Sequence, residues 1–322
     1  MNSVCEALGI KYPVIQGAMA WTATPPLVAA VSNAGGLGVL GVGFAPEEVI
    51  REQIRKTREM TDKPFAANIF MIPELLKVNH PIFMEEKPPV VYVDILANLG
   101  MDMAKEYFEQ WHAAGMKIVF KASFISDAVK AEKAGADVVI VKGWEGGGHV
   151  TDEATMVLVP QAADLLKCPL VGSGGIADGR GMAAVIALGA QGIEMGSAFL
   201  LAEECDVHSA FKEEIIKTGD MSTDITGLTT GEPCRQIRNE LSEKILKIEA
   251  EHVRAEAAEL MMPLSEGSLR KAAIDGDLIN GAVMIGQNVP LLNEIRPAKE
   301  IIETIVADCT IVLKKSLEVD LI

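Results

Sequence analysis

The chain has 322 residues, 49% of them hydrophobic but only 5% aromatic, and a formal net charge of −16. That length suits one large α/β domain or a barrel with an insertion, and the aliphatic bias suits strands buried on both faces. The acidic balance argues against a nucleic-acid partner, because a phosphate backbone demands a basic face.

No apolar run reaches the roughly 18 residues of a membrane span. The start Met1-Asn2-Ser3-Val4-Cys5 lacks the basic region and apolar core of a signal peptide, so a cytoplasmic protein is expected. The five cysteines (Cys5, Cys168, Cys205, Cys234, Cys309) show no CxxC spacing, so neither a disulfide framework nor a metal site is expected.

Strand and helix signals alternate from the beginning. Tyr12-Pro13-Val14-Ile15-Gln16 is a short strand that breaks at Gly17, and Pro25-Pro26 opens a helix that stops at Gly35-Gly36. Leu37-Gly38-Val39-Leu40 is the second strand. A helix with an acidic first turn starts at Ala45-Pro46-Glu47-Glu48, and the third strand is Phe65-Ala66-Ala67-Asn68-Ile69. Strands over 90–93, 117–120, 137–141, 169–172 and 192–195 follow, with helices over about 100–114, 126–134, 155–166 and 179–188. Regular β-α alternation implies a parallel sheet, and eight units imply a closed TIM-type (β/α)8 barrel.

The texture changes after residue 204. Residues 211–216 read as helix, 220–233 show no periodicity, 236–262 read as one long charged helix, and 265–277 read as a short helix. We expect 205–285 to form a mostly helical lid inserted after strand eight. Residues 1–204 with 286–322 would then form the barrel, closed by an amphipathic helix over 298–313.

Three loops carry candidate chemistry. Glu145-Gly146-Gly147-Gly148-His149 follows strand six, placing a titratable imidazole at the strand end where barrels bind ligands. By itself such a string also reads as an ordinary glycine turn. Gly174-Gly175 and Met195-Gly196-Ser197 follow strands seven and eight, where converging backbone N–H groups commonly hold a phosphate. Gly17 leaves room for a flat ring against backbone, and Asn68 ends strand three with an amide that donates and accepts. A planar heterocycle with a phosphate tail spans these groups, and flavin mononucleotide (FMN) has that shape.

The chain resembles the flavin-dependent barrel family of nitronate monooxygenases and enoyl-acyl carrier protein reductase II. The resemblance rests on Gln16-Gly17-Ala18-Met19-Ala20-Trp21, Ala34-Gly35-Gly36-Leu37-Gly38, Lys63-Pro64-Phe65 with Asn68, and the glycine–histidine loop. It continues through Gly174-Gly175-Ile176-Ala177-Asp178-Gly179, Met195-Gly196-Ser197 and Asn280-Gly281-Ala282-Val283-Met284-Ile285-Gly286-Gln287. It implies FMN, with NADH or NADPH as reductant. The FMN contacts would be Gly17, Ala18, Met19, Asn68, Glu145, Gly148, Gly174, Gly175, Gly196, Ser197 and Gln287. His149 would be the catalytic residue.

The implied reaction is reduction of a 2-enoyl thioester, with nitronate oxidation as the alternative and a non-catalytic flavin-binding module as a third class. The expected partners are a small-molecule or acyl-thioester substrate and an acyl carrier protein, in a homodimer with no nucleic acid and no membrane. Asp94, Lys121 and Lys142, at strand ends four to six, depart from the family pattern. They read either as a rim ion-pair network or as groups that recognise a polar substrate. His80, His112, His208 and His252 read as surface groups.

Overall fold

The computed structural model describes residues 2–96 and 98–318. Met1, Ala97 and residues 319–322, the last being the end of the expected closing segment, lie outside the described residues. Eight parallel strands form the barrel: β1 (Val14–Gln16), β2 (Leu37–Leu40), β3 (Phe65–Phe70), β4 (Val90–Asp94), β5 (Lys117–Ala122), β6 (Val138–Lys142), β8 (Leu170–Ser173) and β9 (Gly192–Met195). They pair in that order, and β9 returns to β1 with Val14 opposite Ile193. The TIM-type barrel expected from the alternation is therefore present. A two-residue strand, β7 (Gly148–His149), lies outside it.

Side chains alternate between the two faces of a strand, and this explains the layering. Ile15, Val39, Ala66, Val90, Tyr92, Val119, Val138, Ile140 and Val171 pack together inside the barrel. Their neighbours Val14, Leu40, Ala67, Val91, Ile118, Val139 and Leu170 pack outward against the helices. The helix Ser3–Leu8 closes the interior at the strand starts with Val4, Cys5 and Leu8, and Asn2 caps it by accepting from the Val4 and Cys5 amides. The helix Ala298–Ser316 closes the outer ring.

Several elements differ from the sequence reading. The helix between β3 and β4, for which the alternation gave no bounds, runs over Pro73–Glu86. It carries His80, which is half-buried: its Nδ1 accepts from Trp111 Nε1 at 3.1 Å, and its ring packs edge-on to Tyr107. His80 is thus part of an aromatic cluster, and burial lowers its pKa.

The segment after residue 204 is not wholly helical. It contains helices Ser209–Lys217, Glu240–Glu251, Arg254–Ser265 and Ser268–Ala273, and two strands, β10 (Thr223–Thr226) and β11 (Cys234–Ile237). The long helix expected over 236–262 is a strand followed by two helices that break at His252-Val253. Folding back lets Leu241 and Ile245 bury against Ala257 and Met261. β11 pairs antiparallel with both β10 and β7, so this segment grips the glycine–histidine loop by backbone hydrogen bonds.

Candidate active site

The last inward-facing position of several strands is polar. Two residues beyond Tyr92, Val119, Ile140, Ala66, Val171 and Gly192 lie Asp94, Lys121, Lys142, Asn68, Ser173 and Glu194. The barrel interior is therefore apolar at the strand starts and charged at the strand ends, where ligands bind in this fold.

These groups satisfy one another. Lys121 Nζ lies 2.6 Å from Asp94 Oδ1, and Asn68 Nδ2 donates to Asp94 Oδ2 at 3.0 Å. Asn68 Oδ1 accepts from the amides of Val42 and Gly43, each at 2.7 Å. Glu194 accepts from the Tyr92 hydroxyl and, at 2.8 Å, from Ser173 Oγ. Burial and then the Glu194 charge push the Tyr92 phenol well above its usual pKa. Burial opposes the charge on Lys121, but Asp94 and Glu194 more than offset it and hold its pKa above the ordinary value. Asp94 and Lys121 thus form a buried pair inside the barrel mouth. Ser173 and Glu194 belong to the same layer, and the Tyr92 hydroxyl reaches up to it from one inward-facing position below; the sequence reading overlooked all three. Strand parity was the signal that could have found them.

Lys142 makes no ion pair among the described residues. Its Nζ donates to the carbonyls of Gly147 at 2.6 Å and His149 at 2.8 Å. Burial, then the nearby Lys121 charge, lowers its pKa to about 8. His149 keeps solvent access as a residue, while the loops around it partly desolvate its imidazole. Its pKa is lowered, first by desolvation and next by Lys142.

Three loops converge beside it. The Glu145 carboxylate accepts from Thr155 N at 3.0 Å and Thr155 Oγ1 at 2.8 Å, so this side chain braces its own loop against the next helix. The Glu145 carbonyl accepts from the Gln287 amide at 2.8 Å, and Ser197 Oγ accepts from the Gly286 amide at 3.0 Å. A Cβ on Gly147 would lie 2.5 Å from the Ile285 carbonyl carbon, so only glycine lets these backbones approach. The Gln287 side chain is exposed. Arg235 on β11 ties the segment after residue 204 to this loop by donating to the Trp144 carbonyl at 3.2 Å.

The neighbouring β8 and β9 loops offer unused donors. Among the described residues, the amides of Gly174, Gly175 and Gly196 donate no hydrogen bond within the protein. The Ser197 hydroxyl accepts from Gly286 but keeps its own proton free. Gly174 and Gly175 have φ of +102° and +74°, a conformation that turns successive N–H groups toward one side. Gly17 faces Glu194, a Cβ there falling 3.0 Å from its carboxyl carbon, while Met19 lies beside Gly196. Ala18 and Met19 are half-buried at the same rim. The predicted site residues are therefore gathered at one end of the barrel: free N–H and O–H donors on the β8–β9 side, and His149 with Lys142 on the adjoining β6 side.

A family model described as nitronate monooxygenase matches residues 2–77 and 83–308. The chain belongs to the nitronate monooxygenase family. It is an oxidoreductase. A probable nitronate monooxygenase of Staphylococcus saprophyticus is 35% identical over 75% of this chain and 80% of its own. A Rhodococcus jostii relative, (3aS,4S,5R,7aS)-5-hydroxy-7a-methyl-1-oxo-octahydro-1H-indene-4-carboxyl-CoA dehydrogenase, is 30% identical over 95% of both chains. The solved structure of FabK from Thermotoga maritima, an enoyl-acyl carrier protein reductase II, superposes with a TM-score of 0.92 at 38% identity over 99% of both chains. The proteins this chain is similar to are thus named for different reactions. Among the described residues, no helix is long and apolar enough to cross a membrane, and no group of three or more His, Cys, Asp or Glu could hold a metal.

Proposed function

We propose that this family member is an FMN-dependent reductase of 2-enoyl thioesters that draws its reducing equivalents from NADH or NADPH. The observation that carries the reading is the near full-length likeness to FabK. The thioester in the Rhodococcus relative's name adds support.

The donor set fits FMN. The free amides of Gly174, Gly175 and Gly196 and the Ser197 hydroxyl would hold the phosphate. The backbone of Gly17, Ala18 and Met19 would face the ring, together with the N–H of Asn68 not spent on Asp94. Gly148 and Gln287 would approach from the lid side, and the brace made by Glu145 would hold that approach in place. When bound, FMN supplies hydride transfer between the nicotinamide and the substrate β-carbon.

His149 would deliver the proton that the α-carbon requires. A lowered pKa makes its imidazolium a stronger acid, and burial together with Lys142 produces that lowering. Asp94 and Lys121 neutralise each other, so they shape the floor of the site, whereas the Lys142 cation would favour negative charge developing on the thioester oxygen. An acyl carrier protein or a coenzyme A ester would present such a thioester.

The cationic surroundings of His149 also suit an anionic nitronate, which makes nitronate oxidation the second reading. Anaerobic stopped-flow absorbance separates the two. Fast flavin bleaching by NADH or NADPH, with recovery on adding a 2-enoyl thioester, is expected. Fast bleaching by an alkyl nitronate with slow bleaching by both nicotinamides would replace the first reading with the second.

A further inference from the structure

β7 is an edge strand of the three-stranded sheet, whose order is β10-β11-β7. Its paired side is defined by the register Gly148 opposite Arg235 and by the Val150 amide, which donates to the Pro233 carbonyl at 3.0 Å. Alternate peptide groups of an extended chain face opposite sides. The His149 carbonyl therefore faces the free edge, and the turn at Gly148, with φ of +71°, brings the Gly147 carbonyl to the same Lys142 ammonium. An unpaired edge is costly where water is scarce and is a point of slippage.

Lys142 occupies that edge. It is the last residue of β6, and its Nζ reaches both carbonyls, at 2.6 and 2.8 Å. The three glycines before His149 offer no side chain of their own to anchor the loop. We propose that Lys142 is a positioning residue: its side chain stands in for the missing neighbour strand along β7 and so holds His149 at the barrel mouth.

The same placement sets the charge around His149. Lys121 on β5, Asp94 on β4, Glu194 on β9, and Glu232 and Cys234 from the β11 side also face Lys142 or His149. Lys142 loses its proton at about 8, above the range in which His149 titrates, so it is a cation throughout that titration. The consequence for turnover rests on the proposed role of His149 as proton donor; the positioning itself does not.

Three full-length variants separate geometry from charge. Lys142→Gln keeps N–H donors without charge, Lys142→Arg keeps the charge, and Lys142→Met keeps neither. The readouts are the NMR titration of the His149 ring, assigned by its loss in His149→Ala, and hydrogen exchange of the Val150 amide. His149 should titrate at higher pH in Lys142→Gln and Lys142→Met than in the wild type and Lys142→Arg. Val150 exchange should rise about tenfold or more in Lys142→Met, from the loss of two charge-assisted hydrogen bonds. In turnover assays, the loss of activity with rising pH should move to higher pH in Lys142→Gln. An unchanged His149 titration together with unchanged Val150 exchange in Lys142→Met overturns the proposal. If Lys142→Met does not fold, identical His149 titrations in Lys142→Gln and Lys142→Arg overturn it equally. The NMR and exchange readouts need no turnover, so a protein that reduces no enoyl thioester still decides the question.

Discussion

Lys121 and Asp94 meet at 2.6 Å inside the barrel, with side-chain exposures of 20% and 6%. They come from adjacent strands, and across the barrel from β4 stands Glu194 on β9, which the Tyr92 hydroxyl reaches from below Asp94 on the same strand. The pair gives the site floor polarity without net charge. Lys142, which has no ion-pair partner among the described residues, and the titrating His149 then set the electrostatics above it.

Removing one partner of such a pair leaves the other uncompensated. Asp94→Asn should cost up to about 3 kcal/mol, in line with other broken buried pairs. Glu194 supplies the remaining negative charge near Lys121, which keeps the loss at the lower end of that class. The double variant Asp94→Asn/Lys121→Met should recover much of the loss. Denaturant unfolding of the three proteins measures this, and a double variant less stable than Asp94→Asn would show that the pair does not act as a unit.

His149→Ala should leave the flavin absorbance of the purified protein intact and lower kcat by about 10²–10⁴, the usual worth of a positioned general acid. The direction of the pH dependence tests its role. A proton donor must be charged, so activity should fall as pH rises through the His149 pKa, which lies below 6.5. A limb in the same range with activity falling toward low pH would mark His149 as a base and favour the nitronate reading.

The barrel was legible because each buried parallel strand is a short aliphatic run, and the runs are separated by helix-length segments. The small sheet was not. Asp224 looks like a loop residue and Gln236 like the start of a helix, yet the strands that hold them form because β10 and β11 pair with each other and β11 pairs with Gly148-His149. The break at His252-Val253 carries no Pro or Gly signal either; tertiary burial of Leu241 and Ile245 on Ala257 and Met261 imposes it. Within the site, the glycine loops and His149 could be read locally. Strand parity marks Glu194 as inward-facing, but its partners Tyr92 and Ser173 lie 102 and 21 residues away, so what it does there was not local information.

Lys142 makes stability depend on alkaline pH. Its pKa is lowered from 10.5 to about 8 on folding, so between those values the unfolded chain holds the extra proton. Stability contributed at this position therefore rises as pH rises through that window. The displacement corresponds to at most about 3 kcal/mol. Lys142→Met should remove this rise, flattening unfolding free energy against pH between about 8 and 10 relative to the wild type. Parallel curves for the two proteins would mean that the folded and unfolded lysine titrate alike.

Gly196 tests the proposed anion cradle apart from the fold. Its φ is −105°, accessible to any residue, and an added Cβ would meet only Met19 Sδ at 3.5 Å, an ordinary contact. Gly196→Ala should therefore unfold at a denaturant midpoint close to that of the wild type. If a phosphate packs against this backbone, the new methyl occupies its place, and FMN affinity should fall about tenfold or more, a loss of about 1.4 kcal/mol. Gly174→Ala differs, since φ of +102° and a Cβ 2.8 Å from Thr155 Oγ1 strain the loop itself. It should lose both stability and FMN. Quenching of flavin fluorescence gives the affinities. Wild-type FMN affinity in Gly196→Ala would remove Gly196 from the phosphate site, whatever the fate of Gly174→Ala.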